Sequence, residues 1–149
     1  LGISVGGERE ITVDDVEDLV AETREHAIFE LTKAIGMGDV PRSLALCARM
    51  LRNREPPLKI QFMLARQLRQ IWRAKELAAS GASRGDIAAA VGINPYFLDD
   101  IMVPARRMSR ASLERALERL FQADLALKTS RVEPDLALSR LVQSLAEAR

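Results

Sequence analysis

One short stretch gathers residues able to grip a partner: Arg66, Arg69, Trp72 and Arg73. A guanidinium group grips carboxylates and phosphates with a planar fork of donors, and an indole adds a large apolar surface with one donor. Arginine and tryptophan are also enriched where protein contacts concentrate their energy. On a helix, Arg66, Arg69 and Arg73 share a face, and Lys59 lengthens the basic row because Lys59, Arg66 and Arg73 recur every seven residues. Two readings compete for this row. It meets an acidic partner or a phosphate, or it is a solvated face whose long side chains cover apolar surface and keep their heads wet. Trp72 is likewise either an anchor between helices or a contact to a partner.

Catalysis has little to work with. The chain has one histidine, His26, and one cysteine, Cys47. No Ser-His-Asp or Cys-His set follows from them, and no Cys/His zinc site. The adjacent acids Asp14-Asp15 and Asp99-Asp100 diverge around a helix and do not converge on one substrate atom. Asp124 and Lys128, four apart, make a helical ion pair worth about 0.2–0.5 kcal/mol. Neither a phosphate loop ending in Lys-Ser/Thr nor a dinucleotide fingerprint is present. The expectation is no catalytic residue, no cofactor and no metal.

A further pattern runs from Ser83 to Ile101 and reads like a helix-turn-helix. Ile87-Ala88, Gly92, Ile93, Leu98 and Ile101 hold the expected places. A small residue at Ala88 lets two helices cross closely, and glycine supplies the turn. DNA binding would require donors on the second helix. That helix offers Asn94, Tyr96, Asp99 and Asp100, and two carboxylates face phosphates unfavourably. The motif is a packing device or a DNA-binding regulator, and the charges favour the former.

These residues must be held by helices. Twenty-one alanines and 20 leucines among 149 residues, with aromatics at 4%, set an all-α prior. Hydrophobic residues at 48% and charged ones at 29% exclude wholesale disorder. A net charge of +1 excludes a globally basic nucleic-acid binder. The length suits one domain, or one domain with a remnant of a neighbour. A single cysteine excludes an internal disulfide framework. No apolar run reaches membrane-spanning length, and residues 1–7 lack the features of a signal peptide. The chain starts on Leu1 and not on methionine. The reading is a cytoplasmic piece of a longer protein.

Eight helices and no convincing strand are predicted. Residues 1–11 read as a loop. Thr12 caps a short helix lined by Val13, Val16, Leu19 and Val20, and the polar residues 21–25 read as a hinge. A second helix over 27–35 uses Ile28, Leu31 and Ile35 and stops at Gly36-Met37-Gly38. Asp39 caps the next, striped by Leu44, Cys47, Met50 and Leu51. The longest helix spans about 57–80, with Ile60, Leu64, Leu68, Ile71 and Lys75 in one row. Ser83 caps a short helix ending at Gly92, and Asn94-Pro95 opens one that Pro104 bends or ends. Ser109 caps a long helix through Leu113, Leu117, Leu120, Phe121, Leu125 and Leu127. A turn over 129–134 precedes a last helix marked by Leu136, Leu138, Leu141, Val142 and Leu145.

Residues 11–145 together resemble a known family. Ile11-Thr12-Val13-Asp14-Asp15-Val16 looks like the last helix of an AAA+ lid domain. Ile28-Phe29-Glu30-Leu31-Thr32-Lys33-Ala34-Ile35 with Gly38-Asp39 looks like the opening of a collar domain. Leu64-Ala65-Arg66-Gln67-Leu68-Arg69 and Lys75-Glu76-Leu77 look like its central helix. Ile87-Ala88 to Gly92-Ile93-Asn94-Pro95 looks like the turn that follows. Ala123-Asp124, Leu127-Lys128-Thr129 and Leu136-Ala137-Leu138 look like its closing helices. Order and spacing make the whole similar to the C-terminal region of the delta subunit of the bacterial DNA polymerase III clamp loader. Pro104 departs from the pattern, inside a segment the family keeps helical.

The resemblance implies an all-α bundle of the collar type. Residues 1–22 would end the AAA+ lid domain and form a hinge, and residues 23–149 would be the collar, the oligomerisation domain. It implies assembly with the gamma/tau and delta-prime subunits, contact with the sliding clamp only through an N-terminal domain outside this chain, and no ATP hydrolysis. Arg66, Arg69, Trp72 and Arg73 would then be subunit-interface residues. No direct sequence-specific DNA binding and no membrane contact are expected.

Overall fold

Short-range chemistry starts most of the helices. Thr12 accepts from the Asp15 backbone N–H while the Asp15 carboxylate accepts from the Thr12 N–H, a reciprocal box that satisfies two otherwise orphaned donors. Asp39 accepts from the Arg42 N–H, Ser83 from the Asp86 N–H and Ser109 from the Ser112 N–H. All four were legible as caps. The computed structural model describes residues 4–5, 9–10, 12–129 and 131–147, and leaves out the side chains of 4, 5, 9, 10, 17–23, 127 and 128. Among them stand α1 (Val13–Met37), α2 (Val40–Arg52), α3 (Pro57–Ala79), α4 (Arg84–Val91), a 3-10 turn (Pro95–Phe97), α5 (Leu98–Arg107), α6 (Arg110–Thr129) and α7 (Pro134–Glu147).

Three differences from the sequence reading are instructive. The hinge expected at 21–25 is part of one continuous helix, so the first two predicted helices are both α1. Loss of apolar periodicity there does not end the helix. Ala21, Glu22, Arg24 and Glu25 are good helix formers, and neither Gly nor Pro interrupts them. Next, the first residues are not all loop, because β1 (Ser4–Val5) pairs antiparallel with β2 (Arg9–Glu10). Two residues a side are too few to show alternation. Finally, Pro104 does not end its helix, and α5 runs on to Arg107. One missing N–H costs one ladder bond, and the segment is held by burial of Ile101, Met102, Pro104 and Ala105.

The helices close on one core. α1 packs on α2, α3, α5 and α7, while α3 also meets α4, α5 and α6, and α7 returns onto α2 and α6. Ile28, Leu31 and Ile35 of α1, Ile60, Leu64, Leu68 and Ile71 of α3, Leu98 and Ile101 of α5, Leu113 of α6, and Leu138 and Val142 of α7 are buried. By contrast, Val13 and Val16 are exposed, and the Leu19 and Val20 side chains lie outside the described residues. Polar ties join the layers. Thr32 donates to Gln67 across α1 and α3, and Arg119 donates to the Ser144 carbonyl across α6 and α7 at 2.7 Å. Lys75, placed by periodicity in an apolar row, lends its stem to that row and donates from Nζ to the Ala105 carbonyl at 2.9 Å. No helix among the described residues is long and apolar enough to cross a membrane.

Candidate functional site

α3 is the axis of the candidate surface. Its inner row, Ile60-Leu64-Leu68-Ile71, is spent on the core. Its other faces border two grooves. One, of about 210 Å³, lies between α3 and α6 and is lined by Leu58, Phe62, Ala65 and Arg69 from α3 and by Leu117, Phe121 and Asp124 from α6. The other, of about 580 Å³, has a mixed lining, with Glu25, Lys59, Arg66 and Gln70 beside Met63, Ile93 and Phe97.

The four residues singled out from sequence are therefore distributed and not gathered. Arg66, Arg69 and Arg73 are exposed, as a basic face requires. Arg66 borders the larger groove with Lys59, and Arg69 borders the smaller one. Trp72 is partly buried against the core, with its indole donating to Glu76 at 3.0 Å, and Glu76 lies 4.0 Å from Arg110 of α6. Among the described residues, Arg66, Arg69 and Arg73 take part in no ion pair or side-chain hydrogen bond.

Sequence reasoning missed the apolar part of this surface. Leu58 (53% exposed) and Phe62 (66%) lie outside the core row of α3, and Phe121 (63%) and Leu125 (48%) stand out from α6 although they were read as part of its buried stripe. The signal was present in α3. At about 100° per residue, Phe62 points some 200° away from its neighbours Ile60 and Leu64, so the core cannot use it. At the floor of the same groove, Gln61 is buried and donates to the Leu120 carbonyl at 3.3 Å. Its Oε1 is without a partner among the described residues.

The helix-turn-helix pattern is occupied with packing. Ile87, Ala88, Val91, Ile93, Leu98 and Ile101 are all buried, and Gly92 turns the chain at φ 72°. Arg84 pairs with Asp99 at 2.8 Å across the motif, so a base-reading helix would begin with carboxylates. His26 is an exposed residue beside Glu30 at 3.1 Å. Cys47 is buried, and burial pushes its thiol up to about 11, with Asp135 adding to the rise and a hydrogen bond with Ser139 opposing it. The unfolded chain loses this proton first, so the contribution to stability is lost as pH climbs from 9.0 towards about 11. The expected Asp124–Lys128 pair falls on Lys128, whose side chain lies outside the described residues.

Comparison with known proteins places this architecture. The family model of the DNA polymerase III delta subunit, C-terminal domain, matches residues 25–145. The DNA polymerase III subunit delta of Bacillus subtilis (strain 168) is 32% identical over 141 residues, covering 95% of this chain and 41% of that protein. The solved structure of the Bacillus subtilis DNA clamp loader delta protein superposes with a TM-score of 0.77 at 32% identity, over 95% of this chain and 42% of that one. The chain thus spans about two fifths of the length of these relatives. With an all-helical bundle, a family match over most of its length and no observation that favours a helix-turn-helix regulator, the chain belongs to the DNA polymerase III delta subunit family through its C-terminal domain.

Proposed function

We propose that this chain is the collar-type part of a clamp-loader delta subunit and that its role is assembly, in the complex that loads the sliding clamp onto DNA during chromosomal replication. The match over residues 25–145 carries this reading. Its partners are the collars of the gamma/tau and delta-prime subunits. Contact with the sliding clamp belongs to other parts of the subunit, and the chain contributes no catalytic group to the polymerase holoenzyme. Residues 1–22 end the preceding AAA+ lid domain and residues 23–149 form the collar. The family match begins at residue 25, which supports that division, and the continuous α1 makes the link between them helical. The setting is cytoplasmic.

The exposed basic edge of α3 takes part in the assembly contact through Arg66, Arg69 and Arg73, with Trp72 behind it. Unpaired guanidinium groups beside an aromatic residue are what such contacts favour. The test is reconstitution of the full-length subunit with purified gamma/tau and delta-prime subunits, followed by size-exclusion chromatography. Co-elution is expected, and separate elution overturns the reading. The variant Arg66→Glu, Arg73→Glu should keep its melting temperature and bind the partner subunits about tenfold more weakly, about 1.4 kcal/mol. Equal binding would make this edge a solvated face.

A further inference from the structure

We propose that the groove between α3 and α6 seats an amphipathic helix of a neighbouring clamp-loader subunit, with an aliphatic ridge between Phe62 and Phe121 and a carboxylate on Arg69. The proposal rests on the assembly role above and names the surface and the chemistry of its occupant.

Three observations converge on this groove. Leu58, Phe62 and Phe121, more than half exposed, line it from the two helices that form it. Isolated exposed apolar residues are ordinary, but three lining one groove from two adjacent helices, two of them phenylalanines, form a patch of the kind that marks an interaction site. Arg69 stands on its rim with no ion pair or side-chain hydrogen bond among the described residues, so its charge is available to an acidic group. The one buried side-chain atom without a partner among the described residues, Gln61 Oε1, belongs to its floor, so polar pairing is incomplete there.

The shape and charge select the occupant. α3 and α6 run antiparallel here, since Gln61 reaches Leu120 near one end and Glu76 approaches Arg110 near the other. The α3 wall reads Leu58, Phe62, Ala65, Arg69 at spacings of three and four, apolar at one end and basic at the other, and Arg73 continues that face of the helix beyond the groove. A single helix laid along such a wall matches it with aliphatic residues at one end and an Asp or Glu at the other. Two copies of this chain placed groove to groove would set one concave surface against another and leave both unfilled. A nucleic-acid strand would stack bases on Phe62 and Phe121 but would bring its phosphates against Asp124 of the same groove.

The experiment uses the full-length subunit that carries this chain, and the purified gamma/tau–delta-prime assembly as the probe. Its variants are Phe62→Ser with Phe121→Ser, Arg69→Glu, and Leu136→Ser, an exposed leucine on α7 remote in sequence from the groove. Thermal unfolding is read alongside affinity. The expected result is a loss of about tenfold to a hundredfold for the phenylalanine pair, a smaller loss for Arg69→Glu, and no change for Leu136→Ser, all with unchanged melting temperatures. If the unaltered subunit does not bind the assembly, the assembly role itself fails. If it binds and the phenylalanine pair binds equally well, the groove proposal alone is overturned. A subunit that self-associates through Phe62 and Phe121 while binding its partners normally would also overturn it, in favour of a second copy.

Discussion

The α4–turn–α5 segment and the α3–α6 groove are built from similar residues and treat them in opposite ways. In the first, Ile87, Ala88, Val91, Ile93, Leu98 and Ile101 are buried and Arg84 pairs with Asp99. Its chemistry is consumed inside the chain. In the second, Leu58, Phe62 and Phe121 stay exposed and Arg69 keeps its charge free among the described residues. The difference does not lie in residue type, since both regions mix aliphatic, aromatic and arginine side chains. It lies in whether another element of the same chain covers them. α1 and α3 cover α5, whereas nothing among the described residues bridges the outer edges of α3 and α6.

That contrast can be broken at several strengths. Ile101→Ala removes a fully buried side chain and should cost about 2–5 kcal/mol in urea unfolding, the largest effect expected. A cost under about 1 kcal/mol would mean the segment is not part of the core. Gly92→Ala forces a Cβ onto a left-handed residue at φ 72° and should cost about 1–2 kcal/mol in the same assay. Ser83→Ala removes the α4 cap and should cost about 1 kcal/mol, while Ser83→Asp should restore most of it. Phe62→Ser should move stability by no more than about 0.5 kcal/mol, because little of the ring is buried. If it unfolds the chain as Ile101→Ala does, the groove is core and the comparison collapses.

Much of the fold was readable before any coordinates. The caps at Thr12, Asp39, Ser83 and Ser109, the left-handed glycine at Gly92 and the core row of α3 all follow from rules acting over a few residues. Reading failed where a local signal had more than one structural cause. Polar residues at 21–25 looked like a break, yet residues of good helix propensity keep the backbone ladder. Pro104 was open to bending or ending its helix, and the helix runs on past it because tertiary burial outweighs one lost hydrogen bond. The candidate site was half legible. The basic residues announced themselves by charge, while Phe121 was assigned inward because a helical stripe has no label for its outer edge.

The amino-acid sequence by itself determined that the chain is helical, where most helices begin and end, and which family it resembles. The first two rest on hydrogen bonds and hydrophobic spacing within a few turns, which are properties of neighbours along the chain, and the resemblance rests on the order of segments over residues 11–145. Only the tertiary structure decided that Arg66 and Arg69 border different grooves, and that Phe62 and Phe121 come from separate helices to one exposed surface. A side chain's position around its helix is written locally. What stands opposite it is set by the packing of segments dozens of residues apart, and that packing is chosen by the core as a whole.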